Sequence, residues 1–110
     1  MFTDAHNRVW GEKDIPRMAE ITSSNNNIHF VIGEEEYTAT IPTGIYETIY
    51  TRHTSDLINA INQQFEDNLV LVDAYLGRVH RDIKYSSVVF RSSDGKEITS
   101  ISGTFVDAFM

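Results

Sequence analysis

"IPTGIYETIYTRHTSDLINAINQQF", Ile41 to Phe65, decides how this chain folds. Pro42 lacks the amide hydrogen a strand ladder needs, and Gly44 tolerates a tight bend, so the pair ends a strand. Tyr46, Ile49 and Tyr50 then read as a crossing, with amphipathic rings over the open end of a small core. Thr54 or Ser55 is placed to cap a helix, and Asp56 puts negative charge where the first-turn amides favour it. Leu57, Ile58, Ile61 and Phe65 fall on one stripe at intervals of three and four. Such a helix, about twelve residues long and stopping near Glu66-Asp67-Asn68, is too short to persist in water unless it lies on a sheet. The stretch therefore reads as a hinge from strand to helix and not as the mouth of an active site.

Upstream, Ile28, Phe30 and Ile32 alternate, "GEEE" (Gly33 to Glu36) turns the chain, and Tyr37, Ala39 and Ile41 alternate on the return. This predicts a hairpin with Gly33 at the turn and the glutamates in water. Residues 1–27 show no sustained period. Val9, Trp10, Ile15 and Met18 follow neither strand nor helix spacing, and "SSNNN" is turn-prone, so 1–27 reads as an N-terminal arm or irregular segment ahead of an α+β domain over 28–110.

Downstream, "LVLV" (Leu69 to Val72) is dense enough for a buried strand, and Gly77 either bends it or separates it from a second short strand at Val79 to Ile83. Asp94-Gly95 is the strong two-residue turn signal between apolar runs, predicting a hairpin across Tyr85 to Ile101. Ile98 and Ile101 are three apart, which implies either a bulge near Thr99 or a change of face. Ile101, Gly103, Phe105 and Phe109 return to period two. The expected fold is α+β: a mainly antiparallel sheet of about five to seven strands with one amphipathic helix packed on it.

With 110 residues the chain fits one small domain. It carries 9 Lys and Arg against 16 Asp and Glu, a formal charge of −7, and its basic residues form no run. That balance speaks against nucleic acid as a partner, because phosphates need a positive footprint. It also disfavours anionic membrane surfaces, and no run of about 18 apolar residues is present. The absence of cysteine excludes disulfides, thiolate catalysis and cysteine-ligated zinc. The chain reads as soluble and unprocessed.

Chemical signatures are weak. His6, His29, His53 and His80 form no compact ligand spacing, and Asp4 with His6 matches a metal pair in residue type alone. Glu34, Glu35 and Glu36 repel one another in a turn and are best left solvated. No serine lies in a nucleophile elbow, and "SSDGK" at Ser92 to Lys96 lacks the glycine frame of a phosphate loop. Phe30, Tyr37, Tyr85 and Phe90 have the character of base-stacking residues, yet Arg78, Arg81 and Lys84, interrupted by Asp82, are the only local basic cluster. No catalytic residue, cofactor or metal is expected, and the chain does not read as an enzyme.

Residues 25–65 resemble a pattern found in virion and tail-associated structural proteins of tailed bacteriophages and some other large viruses. There a "YTxTIPxGxY"-like stretch precedes a helix with an "LxxAIN"-like run. The matching pieces here are "YTATIPTGIY" (Tyr37 to Tyr46) and "LINAINQQF" (Leu57 to Phe65), with "ETIYTRHTS" standing between them. The resemblance implies a building or attachment element without chemistry of its own: a structural or assembly protein of a tail, neck or baseplate, found in the virion or in the host cytoplasm during assembly. Its partners would be further copies of itself and other virion proteins. Candidate interface residues are Trp10, Tyr46 and Tyr50, with Phe105, Phe109 and Met110 at the apolar end. The alternatives are a soluble adaptor or carbohydrate-binding module, with a glycan held on Trp10, Tyr46 and Tyr50, and a small hydrolase.

Overall fold

The computed structural model describes residues 2–4, 7–77 and 87–110. The elements in chain order are β1 (Phe2–Asp4), β2 (Arg8–Trp10), β3 (Met18–Ile21), β4 (Asn27–Ile32), β5 (Glu35–Thr40) and β6 (Gly44–Ile49). A 3₁₀ turn (Tyr50–Arg52) and β7 (Thr54–Ser55) lead into α1 (Asp56–Asp67), followed by β8 (Val72–Gly77), β9 (Ser87–Ser92), β10 (Ile98–Ser102) and α2 (Thr104–Phe109). The described strands form three antiparallel sheets, with orders β1-β2-β9-β8, β10-β4-β5 and β3-β6-β7.

The class is α+β, but the expected single sheet with one helix is overturned by three small sheets and two helices. Three local causes account for the difference. First, β9 already has β2 on one side and β8 on the other, so the strand after Asp94-Gly95 has no edge to join. The chain does turn there, with Gly95 at φ 79, but β10 goes to the free edge of β4 and the expected hairpin does not form. Second, Gly44–Ile49 is no crossing. It is a strand that pairs with β3 from Met18↔Glu47 to Ile21↔Gly44, which makes part of the presumed arm a sheet element. Val9, Ile15, Ala19 and Ile21 are all buried. Third, Phe105 and Phe109 are four apart, a spacing that suits both periods; Val106, also buried, fits only the helix.

Other expectations hold. The hairpin runs from Asn27↔Thr40 to Ile32↔Glu35, with Gly33 at φ 62 in the turn. The β10–β4 register shifts between Ile98 and Ser100, which is the bulge alternative near Thr99. Helix α1 starts on Ser55, whose Oγ accepts from the Ile58 amide at 3.2 Å, and its buried residues are Leu57, Ile58, Ile61 and Phe65. Val79 to Ile83 lies outside the described residues.

The core joins the layers through three rings, Phe30 of β4, Phe65 of α1 and Phe90 of β9. Their centroids lie 5.3–5.6 Å apart, each pair edge to face. Helix α1 rests on β8 and β6, and α2 rests on β4 and β10. Asn62 fixes the first contact: its side chain donates to the Ala74 carbonyl and accepts from the Ala74 amide, both at 2.8 Å. It thus stands in for a neighbouring strand on the outer edge of β8.

Candidate interaction surfaces

Among the described residues, those weighed for catalysis or metal binding are scattered. Nδ1 of His29 lies 3.2 Å from the Thr38 hydroxyl on the neighbouring strand, and His53 sits exposed after the 3₁₀ turn at φ 54. His6 and His80 lie outside the described residues, as do Arg78, Arg81, Asp82, Lys84 and Tyr85. Glu34, Glu35 and Glu36 are exposed at the hairpin tip. The Tyr37 hydroxyl donates to Glu35 at 2.6 Å, and that hydrogen bond holds the phenol pKa above its ordinary 10.0. Among the described residues no three His, Asp or Glu side chains gather as a metal site. Phe30 and Phe90 are fully buried and present no ring to a nucleic acid.

Of the expected interface residues, Trp10 is half-buried in β2, with the Arg8 guanidinium 5.7 Å from its ring centroid. It leans on Gly77, where an added Cβ would lie 2.6 Å from the indole. Tyr46, also half-buried, donates its hydroxyl to the Pro42 carbonyl at 2.7 Å. Tyr50 begins the 3₁₀ turn; its side chain lies outside the described part. Phe105, Phe109 and Met110 are buried by their own chain, the two rings packing at 5.0 Å. The apolar end is thus consumed in the fold by α2.

Different apolar residues face the solvent. Leu69 is 81% exposed, Ile45 65%, Met18 55% and Leu71 50%. The leucines arise from the way α1 stops. The Leu69 amide donates to Glu66 O at 3.2 Å and the Val70 amide to Phe65 O at 2.8 Å, the paired bonds of a Schellman ending. That ending requires a left-handed residue, and Leu69 supplies it at φ 57 where glycine is usual. Val70 turns into the core while Leu69 and Leu71 face outward, beside an open groove of about 430 Å³ that Phe65, Glu66, Val72, Asp73 and Ser93 also line. Sequence spacing hid this: Leu69 is four past Phe65 and would continue the buried stripe if the helix ran one turn further.

Met18 and Ile45 share the outer face of the β3–β6 pair. Met18 stands opposite Glu47 and Glu20 opposite Ile45, while Ala19 and Ile21 point inward. At the end of β6 this face opens into a cavity of about 450 Å³ lined by Arg17, Glu47, Thr48, Ile49, Thr51 and Arg52. Arg17 reaches Glu47 at 3.9 Å, leaving Arg52 as the additional positive charge at the rim.

No family model matches this chain, and neither a curated protein nor a solved structure does. No helix among the described residues is long and apolar enough to cross a membrane.

Proposed function

We propose that this chain is a non-enzymatic structural or assembly protein of a tailed bacteriophage, acting at a tail, neck or baseplate through contacts with copies of itself and other virion proteins. The observation that carries the reading is the pair of exposed apolar patches, Leu69 with Leu71 and Met18 with Ile45. Side chains of this size gain from leaving water when a partner covers them. The resemblance over residues 25–65 supplies the setting. Its two pieces fall on β5 with the first half of β6 and on α1, with the inserted "ETIYTRHTS" forming the second half of β6, the 3₁₀ turn and β7.

A glycan platform would need its aromatic rings on one surface. Trp10 and Tyr46 instead stand in different sheets, each engaged by its own chain. The assembly reading is tested by light scattering over a wide concentration range, followed by electron microscopy of any assembly. Growth in mass to a particle of regular shape is expected. A protein that stays monomeric and also fails to bind purified tail or head components would sink the reading.

A further inference from the structure

We infer that Asp94 is a site of spontaneous backbone modification, where attack by the Gly95 amide converts aspartate to isoaspartate, and that the hydrogen bonds of its turn hold this reaction in check while the chain is folded. The two groups are adjacent in sequence, and Ser93 to Glu97 are all exposed between β9 and β10. Gly95 removes the obstacle that a side chain would raise beside the attacking nitrogen: it sits at φ 79, and a Cβ built there would meet nothing within 4 Å. In the reaction the Gly95 nitrogen bonds to Asp94 Cγ, the Cγ–OH bond breaks, and the amide proton leaves with that hydroxyl as water. Solvent water then opens the cyclic imide. Addition at Cγ restores aspartate, whereas addition at the main-chain carbonyl carbon leaves the backbone running through Cγ and longer by a methylene.

What opposes the reaction lies in the same turn. Asp94 Oδ1 accepts from the Ser92 hydroxyl at 2.7 Å and from the Lys96 amide at 3.1 Å, and Lys96 Nζ lies 3.9 Å from Oδ2. Attack makes Cγ tetrahedral and turns the carboxyl toward its own backbone, which gives up bonds made to an anchored, planar carboxylate. Those bonds also favour the ionised form, the Ser92 hydroxyl first, while the reaction draws on the neutral carboxyl, whose hydroxyl can leave as water. Ser92 is only 2% exposed, so the restraint is anchored in the sheet and not in the solvated loop. The next residue shows what is at stake. The Ser93 amide donates to the Leu71 carbonyl at 3.0 Å, so a longer backbone at Asp94 pulls on the contact between the end of β9 and the chain entering β8.

Incubating the full chain in heavy-oxygen water at about pH 5, where an ordinary aspartate is still partly protonated, tests this. After proteolysis, the peptide holding Asp94 is separated by chromatography and weighed; isoaspartate elutes apart from aspartate, and the oxygen label marks each ring opening. Asp94→Glu, whose longer side chain disfavours the ring, identifies the product peak by its absence. Wild type unfolded in guanidinium should form isoaspartate at least about tenfold faster than folded wild type, the factor in rate that one hydrogen bond to an ionised group represents. Folded Ser92→Ala should fall between them, and circular dichroism at the incubation pH establishes which chains are folded. Should Ser92→Ala not fold, the two wild-type rates still decide. No isoaspartate at Asp94 in the unfolded chain overturns the site. Equal rates in folded and unfolded wild type overturn the restraint, and a folded Ser92→Ala that reacts no faster than wild type removes the hydroxyl as its anchor.

Discussion

The two ends of α1 are built by opposite rules. At the amino end the cap and first turn follow local preference: Ser55 caps the helix, its hydroxyl lies 2.7 Å from the buried Thr48 hydroxyl, and Asp56 occupies the first turn, although His53 just before them is left-handed. At the carboxyl end the same preferences are broken. A leucine holds the left-handed position that suits glycine, acids sit where the dipole favours bases, and the leucine's side chain stands in water. One helix is thus anchored at one end and left unsatisfied at the other. Local rules kept at the cap show what holds the helix, and the rules broken at Leu69 set the two ends apart in how they are stabilised.

The comparison breaks most completely if the helix is detached from both ends. Phe65→Ala removes the ring that joins α1 to Phe30 and Phe90, and a loss of about 3–5 kcal/mol is expected. Against a typical total of about 5–15 kcal/mol, that leaves a marginal fold or none. Urea unfolding with fluorescence and far-UV detection measures it; a loss below about 1 kcal/mol would mean the three rings are not the junction of the layers. The next effect is at the satisfied end. Ser55→Ala deletes the cap and leaves the buried Thr48 hydroxyl without its side-chain partner, for an expected cost of about 1–2 kcal/mol in the same assay. A neutral result would show that the amino end is held by packing alone.

How much of this was legible follows the same division between local and distant causes. The β4–β5 hairpin, the Ser55 cap and the α1 stripe depend on residues within a few positions of one another, and alternation or i+4 spacing displays them directly. Partner choice does not show in such patterns. Nothing in "SSVVFRSS" says that β9 pairs with both Arg8–Trp10 and Val72–Gly77, and three-residue strands such as β2 are too short for alternation to register. The apolar terminus was ambiguous because Phe105 and Phe109 satisfy both periods. The outward leucines are hidden for a related reason: a single left-handed residue, Leu69, turns the chain out of the helix at the very position where the stripe would continue.

Leu69→Gly sharpens the contrast because its sign is opposite. Glycine takes φ near 57 without the Cβ penalty of about 1 kcal/mol or more, partly offset by its greater freedom in the unfolded chain. The side chain removed is largely in water and contributes little packing. Stability should rise by about 0.5–1 kcal/mol, read as a higher urea midpoint at constant slope. A loss instead would show that Leu69 supports the fold, and the exposed end would no longer be one where stability was given up.

The smallest expected effect concerns the turn that braces the leucine end. The Ser93 amide donates to the Leu71 carbonyl at 3.0 Å, and Asp94 holds that turn by accepting from the Ser92 hydroxyl at 2.7 Å and the Lys96 amide at 3.1 Å. The hydroxyl bond first, then the amide bond, lower the Asp94 pKa below its ordinary 3.8. A carboxylate lowered in the folded state adds stability that is complete above 3.8 and disappears as pH falls through the lower folded value. Wild type should therefore exceed Asp94→Asn by a small margin near neutrality, and the margin should close only below pH 3.8. The amino end has a different cap chemistry: the Ser55 hydroxyl does not titrate there, so the cost of Ser55→Ala should keep its size across the same window. Paired urea titrations of the two variants against wild type, repeated down the pH range, separate the ends. A gap for Asp94→Asn that is unchanged in acid would show that charge plays no part in holding the turn beneath Leu71.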